Sequence, residues 1–323
     1  MLGLSRGVSP IGGVLVLSLF IATLPSVTQG SDYSQPGPWE VELREESLTV
    51  PGERRPLKII LALPVKADAG AAPLVVFSHG FLLEGSDYQS YGLHLASNGL
   101  AVALPTYRMT LLDADHGRLA VQLQLVVDHL AREADGGSLS GLVDASRLGL
   151  AGHSLGGKLS FMVATQSASP VAVAGIDPVD GGGPGGGDDD RFPAVVPGRM
   201  AELRVPILLI GAELGGEVRF GQACAPEDRN YQRFFEAASG NAIEITQLDA
   251  GHMQYLDDPG CGFACLVCVQ GSAPSEEIRL SAHAYLTAFF VGHLEGRAEA
   301  LTWLEHKLAE DGEAGRIVVR RKD

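Results

Sequence analysis

The stretch Ser146–Lys158, Ser-Arg-Leu-Gly-Leu-Ala-Gly-His-Ser-Leu-Gly-Gly-Lys, constrains this chain more than any other. An apolar run of strand type ends in Gly-His-Ser-Leu-Gly, and an apolar run of helical type follows to about Thr165. A strand that passes into a helix through so few residues needs a very tight turn. The central residue, Ser154, is then strained, and its side chain stands above the sheet edge. Gly152 and Gly156 flank it because a Cβ there would clash where strand and helix meet. This is the pattern of a nucleophile elbow.

The rest of the chain alternates in the same way. Strands are expected at 39–50, 58–63, 74–77, 100–104, 171–176, 205–210 and 242–248. Helices are expected at 88–97, 113–134, 227–238, 275–293 and 299–308, the last with Leu301, Leu304 and Leu308 on one face. Alternating strands and helices imply an α/β class, with a mostly parallel central sheet and helices on both faces. Ligands of such sheets sit at the carboxyl ends of the strands. His79, Ser154, Asp177 and His252 each follow the end of an expected strand.

Composition narrows the classes. The 323 residues are 46% hydrophobic and 20% charged, enough for a packed core. A net charge of -15 argues against nucleic acid or an anionic membrane as partner. Residues 1–30 carry one charge, Arg6, then a nearly unbroken apolar run from Ile11 to Leu24 and small residues near Gly30. They read as a secretory signal peptide, with an uncleaved membrane anchor as the alternative. The expected division is leader 1–30, an α/β domain 31–295, and an amphipathic helix with a polar tail at 296–323.

A serine hydroxyl is a weak nucleophile until a base removes its proton. The chain order Ser…Asp…His is that of the α/β-hydrolase fold. His252, in a Gly-His-Met turn after the last core strand, is the best base. Asp177 is the preferred acid, which would hold the imidazole tautomer. Glu213, Glu217, Asp180 and Asp249 stay open as alternatives. The backbone N–H groups of Phe81 and Leu155 would form an oxyanion hole. Of the other histidines, His153 is expected to point away from the site and His116 to be exposed. His94, His129, His283, His293 and His306 fall on helices as surface or packing residues. No cofactor or metal is called for. Asp188, Asp189 and Asp190 lack the alternating spacing of a calcium loop. The run Gly181–Asp190 reads as a solvated loop.

Four cysteines behind a leader read as two disulfides, so Cys224 must reach the segment holding Cys261, Cys265 and Cys268. The pairing is left open.

These motifs resemble the chlorophyllase family. The likeness rests on Ser78-His79-Gly80-Phe81, on Gly152 to Lys158, and on Gly175-Ile176-Asp177-Pro178-Val179-Asp180-Gly181. Cys224-Ala225-Pro226, Gly251-His252-Met253 and Leu256-Asp257-Asp258 complete it. It implies an α/β-hydrolase fold, the acid at Asp177, and cleavage of the phytyl ester of chlorophyll to chlorophyllide and phytol. The chain departs at Leu155, where plant members usually carry Arg, and in its secretory-type leader. A large apolar ester is therefore the expected substrate, with transient lipid contact. Phe81, Leu82, Leu83, Met253, Tyr255, Leu256, Phe263 and Leu266 are the expected apolar wall. A general secreted esterase, lipase or polyester hydrolase is the alternative. A binding protein that kept the fold without the chemistry is a second one.

Overall fold

The apolar run at 74–77 becomes the centre of a strand, β3 (Ala72–Ser78), buried at every position. Its residues alternate between two cores: Val75 and Phe77 face one, Leu74 and Val76 the other. The same alternation holds in β7 (Ile207–Ala212), where Leu208 and Ile210 oppose Ile207 and Leu209. Strands buried on both faces read as continuous apolar runs, as these do.

The computed structural model describes residues 31–323 apart from 67–69, 111–112, 167, 183–189 and 261–265. The expected leader, Asp188, Asp189, Cys261, Phe263 and Cys265 lie outside the described residues.

Among the described residues, β3 and β7 belong to a nine-stranded sheet. Its other members are β1 (Val41–Leu48), β2 (Leu57–Pro64), β4 (Ala101–Thr106), β5 (Val143–His153), β6 (Ala172–Ile176), β10 (Ala242–Gln247) and β11 (Ile317–Lys322). A separate two-stranded hairpin joins β8 (Val218–Arg219) to β9 (Gln222–Ala223). The strand order is β1-β2-β4-β3-β5-β6-β7-β10-β11. The pairings from β4 to β10 are parallel, while β1, β2 and β11 add antiparallel edges. The chain steps outward from β3 to β4 and returns on the other side of β3 as β5. That reversal opens a crevice at the carboxyl ends of β3 and β5, where ligands of such sheets bind.

Helices α1 (Gln89–Ser97), α5 (Ser275–Leu294) and α6 (Ala298–Glu313) cover one face. Helices α2 (His116–Gly136), α3 (Leu155–Gln166) and α4 (Tyr231–Ala237) cover the other. Two helices start later than their composition suggests, because a cap fixes each start. Asp115 Oδ1 accepts the Arg118 N–H at 2.8 Å, and Asn230 Oδ1 accepts the Gln232 N–H at 3.1 Å.

The C-terminal tail departs from expectation. Residues 317–322 are not a free polar end but strand β11, paired with β10 from Ile317 against Gln247 to Lys322 against Ala242. Arg320 forms an ion pair with the buried Glu244, and the Arg320 and Lys322 side chains lie over Phe235. Long basic side chains cover apolar surface while keeping their charges wet, so a charged stretch can finish a sheet. The described residues from Ser31 to Asp323 cluster as one compact unit.

Candidate active site

Ser154 has φ 54°, the left-handed backbone expected of the elbow. The turn is possible because a Cβ on Gly156 would lie 2.1 Å from the Ser78 carbonyl oxygen, and one on Gly152 2.4 Å from the Gly156 backbone. Ser154 is 8% exposed, so its hydroxyl opens into a crevice rather than into bulk water. Asp177, at the end of β6, also has a positive φ, 39°, and its N–H donates to the Ile210 carbonyl at 2.5 Å.

Three side chains meet here from the ends of three strands. His252 Nε2 lies 2.9 Å from Ser154 Oγ, and His252 Nδ1 lies 2.7 Å from Asp177 Oδ2. Asp177 is fully buried and His252 nearly so. A carboxylate can only accept, so Nδ1 carries the proton and Nε2 is left to accept from the serine. That is the arrangement in which an imidazole can take the hydroxyl proton. Gly215 leaves room for the carboxylate, since a Cβ there would lie 2.7 Å from Asp177 Oδ2.

Three of the alternative acids, Asp180, Glu213 and Asp249, are engaged elsewhere. Asp180 pairs with the buried Lys158 at 3.0 Å and caps the N–H groups of Val195 and Val196. Glu213 accepts the Asp249 N–H at 2.7 Å, and Asp249 itself holds Ser272. Among the described residues, the carboxylate bonded to His252 Nδ1 is that of Asp177 and not that of Asp180 or Glu213.

Phe81 follows Gly80 just beyond β3, and Leu155 opens α3. The first N–H groups of a helix have no partner within it, and the Leu155 N–H is one of these. His79 holds the peptide that carries the Phe81 N–H. Its Nδ1–H donates to the Gly80 carbonyl at 2.8 Å, while its Nε2 accepts the Tyr107 N–H at 2.9 Å. Burial pushes His79 down to about 4, which keeps this ring neutral.

Two other histidines depart from expectation. His153 does not point away: its ring lies 4.6 Å from that of His252, and it is fully buried. His116 is 7% exposed and meets Phe192 edge-on, because the Gly117 N–H bonds Arg191 and seats that turn of α2 under the 190–192 segment.

Ser154 and His252 lie at the floor of a pocket of about 540 Å³. Phe81, Leu82, Leu83 and Met253 line it, as four of the eight expected wall residues. Tyr255 and Leu256 do not, because both are buried in the core beneath α5. Leu266 is 54% exposed beside the lining residue Val267. The sequence reading missed the far wall, made by the β8–β9 hairpin. Its turn residues Phe220 and Gly221 have φ 52° and 81°, and Phe220 is 75% exposed. An aromatic residue is costly at the first turn position, where Gly, Asn and Asp are favoured. The signal was the Phe220-Gly221 pair between two short strand-forming dipeptides. The disulfide Cys224–Cys268 ties this hairpin to the segment after His252, and the Arg219 guanidinium donates to the Cys268 carbonyl at 3.2 Å.

Residues 34–311 match the family model described as Chlorophyllase. The chain is 30% identical to Chlorophyllase-2 of Arabidopsis thaliana over 275 residues, covering 79% of this chain and 83% of that one. It is 27% identical to the chloroplastic Chlorophyllase-1 of Citrus unshiu, covering 87% of this chain and 84% of that one. Among solved structures, a ferulic acid esterase from Streptomyces cinnamoneus shares the fold with a TM-score of 0.62 at 22% identity, covering 83% of this chain and 94% of that one.

Proposed function

Because this chain belongs to the chlorophyllase family, we propose that it is a serine carboxylic ester hydrolase acting on large apolar esters, the phytyl ester of chlorophyll first among them. The observation that carries this is the hydrogen-bonded run Ser154–His252–Asp177 at the floor of an apolar pocket. His252 Nε2 takes the Ser154 proton as Oγ attacks the ester carbonyl. The N–H groups of Phe81 and Leu155 receive the oxyanion, each worth about 3 kcal/mol. His252 then protonates the leaving alkoxide, the alcohol departs, and an acyl group stays on Ser154. Water repeats the sequence, releasing the acid and restoring the serine. Asp177 holds the His252 tautomer and stabilises the imidazolium.

Five of the large hydrophobic residues exposed among those described, Phe81, Leu82, Val218, Phe220 and Leu266, lie on or beside the walls of this pocket. A rim of that kind favours transient contact with a lipid phase that carries the ester. The leader and the Cys224–Cys268 disulfide favour a secreted or periplasmic protein, with an uncleaved anchor as the alternative. Among the described residues no helix is long and apolar enough to cross a membrane.

The alternative reading is a general secreted esterase on the same scaffold. Purified protein assayed on chlorophyll a in detergent and on p-nitrophenyl acetate separates the two. Higher kcat/KM on chlorophyll a is expected. Good turnover of the acetate with chlorophyll a left intact would replace the chlorophyllase reading with the general esterase.

A further inference from the structure

We propose that the Tyr88 hydroxyl is a positioning residue that holds the Gly80–Phe81 oxyanion loop in register with the base His252, acting through His153. The proposal rests on the ester-hydrolase reading above.

Three contacts make the link. The Gly80 N–H donates to Tyr88 Oη at 3.3 Å, Tyr88 Oη meets His153 Nδ1 at 2.6 Å, and His153 Nε2 meets the His252 carbonyl at 2.9 Å. Their directions follow from chemistry. A carbonyl only accepts, so Nε2 carries the His153 proton. In a neutral ring Nδ1 then accepts, and Tyr88 gives its proton there. The phenol oxygen keeps its lone pairs for the Gly80 N–H. Every polar atom in the run is satisfied by one arrangement, in a region where both Tyr88 and His153 are fully buried.

The link spans three segments that the backbone delivers separately. Gly80 follows β3, His153 ends β5, and His252 follows β10. Tyr88 comes from the turn before α1 and is held by ring contacts with Phe77 and Tyr91 at 5.2 and 6.1 Å. The fit is close: a Cβ on Gly80 would lie 3.2 Å from both His153 Nδ1 and Tyr88 Oη.

The run is suited to alignment and not to moving protons. Burial pushes the Tyr88 phenol well above its ordinary value, and it pushes the His153 imidazole well below. His153 therefore stays neutral against the His252 ring while His252 gains and loses its proton. A misplacement of about 1 Å between reacting groups can cost about 100-fold in rate.

Tyr88→Phe deletes one oxygen and keeps the ring packing. On p-nitrophenyl butyrate, kcat is expected to fall about 10- to 100-fold, with KM changed by less than about twofold. Affinity for a trifluoromethyl ketone, which needs the same oxyanion donors, should fall in parallel. His153→Leu should lose a similar factor. His153→Gln, whose amide can both accept and donate, should recover most of it. The double variant Tyr88→Phe/His153→Leu should lose little beyond either single change, as expected of groups acting as one unit. Wild-type kcat in Tyr88→Phe, or losses that multiply in the double variant, would overturn the proposal. A lowered unfolding midpoint with kcat per folded molecule unchanged would do so too. If the wild type hydrolyses no ester, the ester-hydrolase reading fails on its own. The rate of Ser154 labelling by a fluorophosphonate then decides the role of Tyr88.

Discussion

The floor and the rim of the pocket are built on opposite principles. On the floor, Ser154, Asp177, His252, His79 and His153 are buried, and hydrogen bonds fix each of them. On the rim, Phe220 and Val218 are 75% and 66% exposed, and the hairpin that carries them is anchored by the Cys224–Cys268 bond together with the Arg219–Cys268 hydrogen bond. Polar groups can be held in place by partners, because an unsatisfied buried group costs about 1–3 kcal/mol. Exposed apolar side chains have no such partners, so their order comes from the backbone that carries them, here a hairpin tied down by a cross-link. Chemistry on the floor needs fixed atoms, whereas capture at the rim needs apolar area in water.

The sharpest way to break this contrast is to disable the floor alone. Ser154→Ala should lower ester turnover by more than about 1000-fold while urea unfolding is unchanged. Residual turnover above that level would move the nucleophile elsewhere. Asp177→Asn should cost about 10,000-fold in kcat, because it lets the imidazole settle in the wrong tautomer. Glu213→Gln should change kcat by less than about threefold, since its carboxylate caps the Asp249 N–H instead. The opposite ranking of these two variants would reassign the acid.

The rim is tested next, through its tether. The bond closes a loop with a sequence separation of 44, and its loss should cost about 4 kcal/mol of stability. Cys224→Ser with Cys268→Ser should also raise KM for long-chain esters more than KM for acetates. Equal effects on the two would mean that the hairpin does not shape the pocket.

Acid should weaken the floor. His79 is pushed down to about 4 from an unfolded value near 6.5, so the unfolded chain takes up the proton first. The stability this site contributes is complete above about pH 6.5 and is lost as pH falls toward about 4, a span of about 3 kcal/mol. Urea midpoints of the wild type and His79→Leu measured between pH 7.5 and 4 check this. A slope as steep in the variant as in the wild type would rule out His79 as the source.

A modest effect is expected at the rim itself. Phe220→Ser should reduce kcat/KM on long-chain esters about 10-fold by removing exposed apolar area, and should leave p-nitrophenyl acetate unaffected. A loss on both substrates would mean that Phe220 supports the floor.

The floor was the more legible part of the sequence. Ser154, Asp177 and His252 stand at strand ends, and the period of burial that defines those strands is a local signal. Which of Asp177, Asp180 and Glu213 meets His252 was not local, because it depends on how β6, β7 and β10 sit side by side. The same holds for His153, whose place against His252 follows from the pairing of β5 with β6 and on to β10. The rim was hardest to read. Two dipeptide strands are too short to show a period, and Tyr255 and Leu256 look like loop residues until α5 closes over them. Strand β11 was hidden for a related reason, since half of it is Arg-Arg-Lys.

That last strand sets a limit on trimming the protein. The family match ends at residue 311, six positions before β11 begins at Ile317. A chain shortened to that boundary would keep every residue of the floor and rim. It would also uncover β10 along its whole length, with Glu244 left without its guanidinium partner. A bare strand of this kind offers a row of unpaired donors and acceptors to the next molecule. Shortened protein is expected to self-associate through that edge while its pocket remains intact, and solubility would be lost before activity.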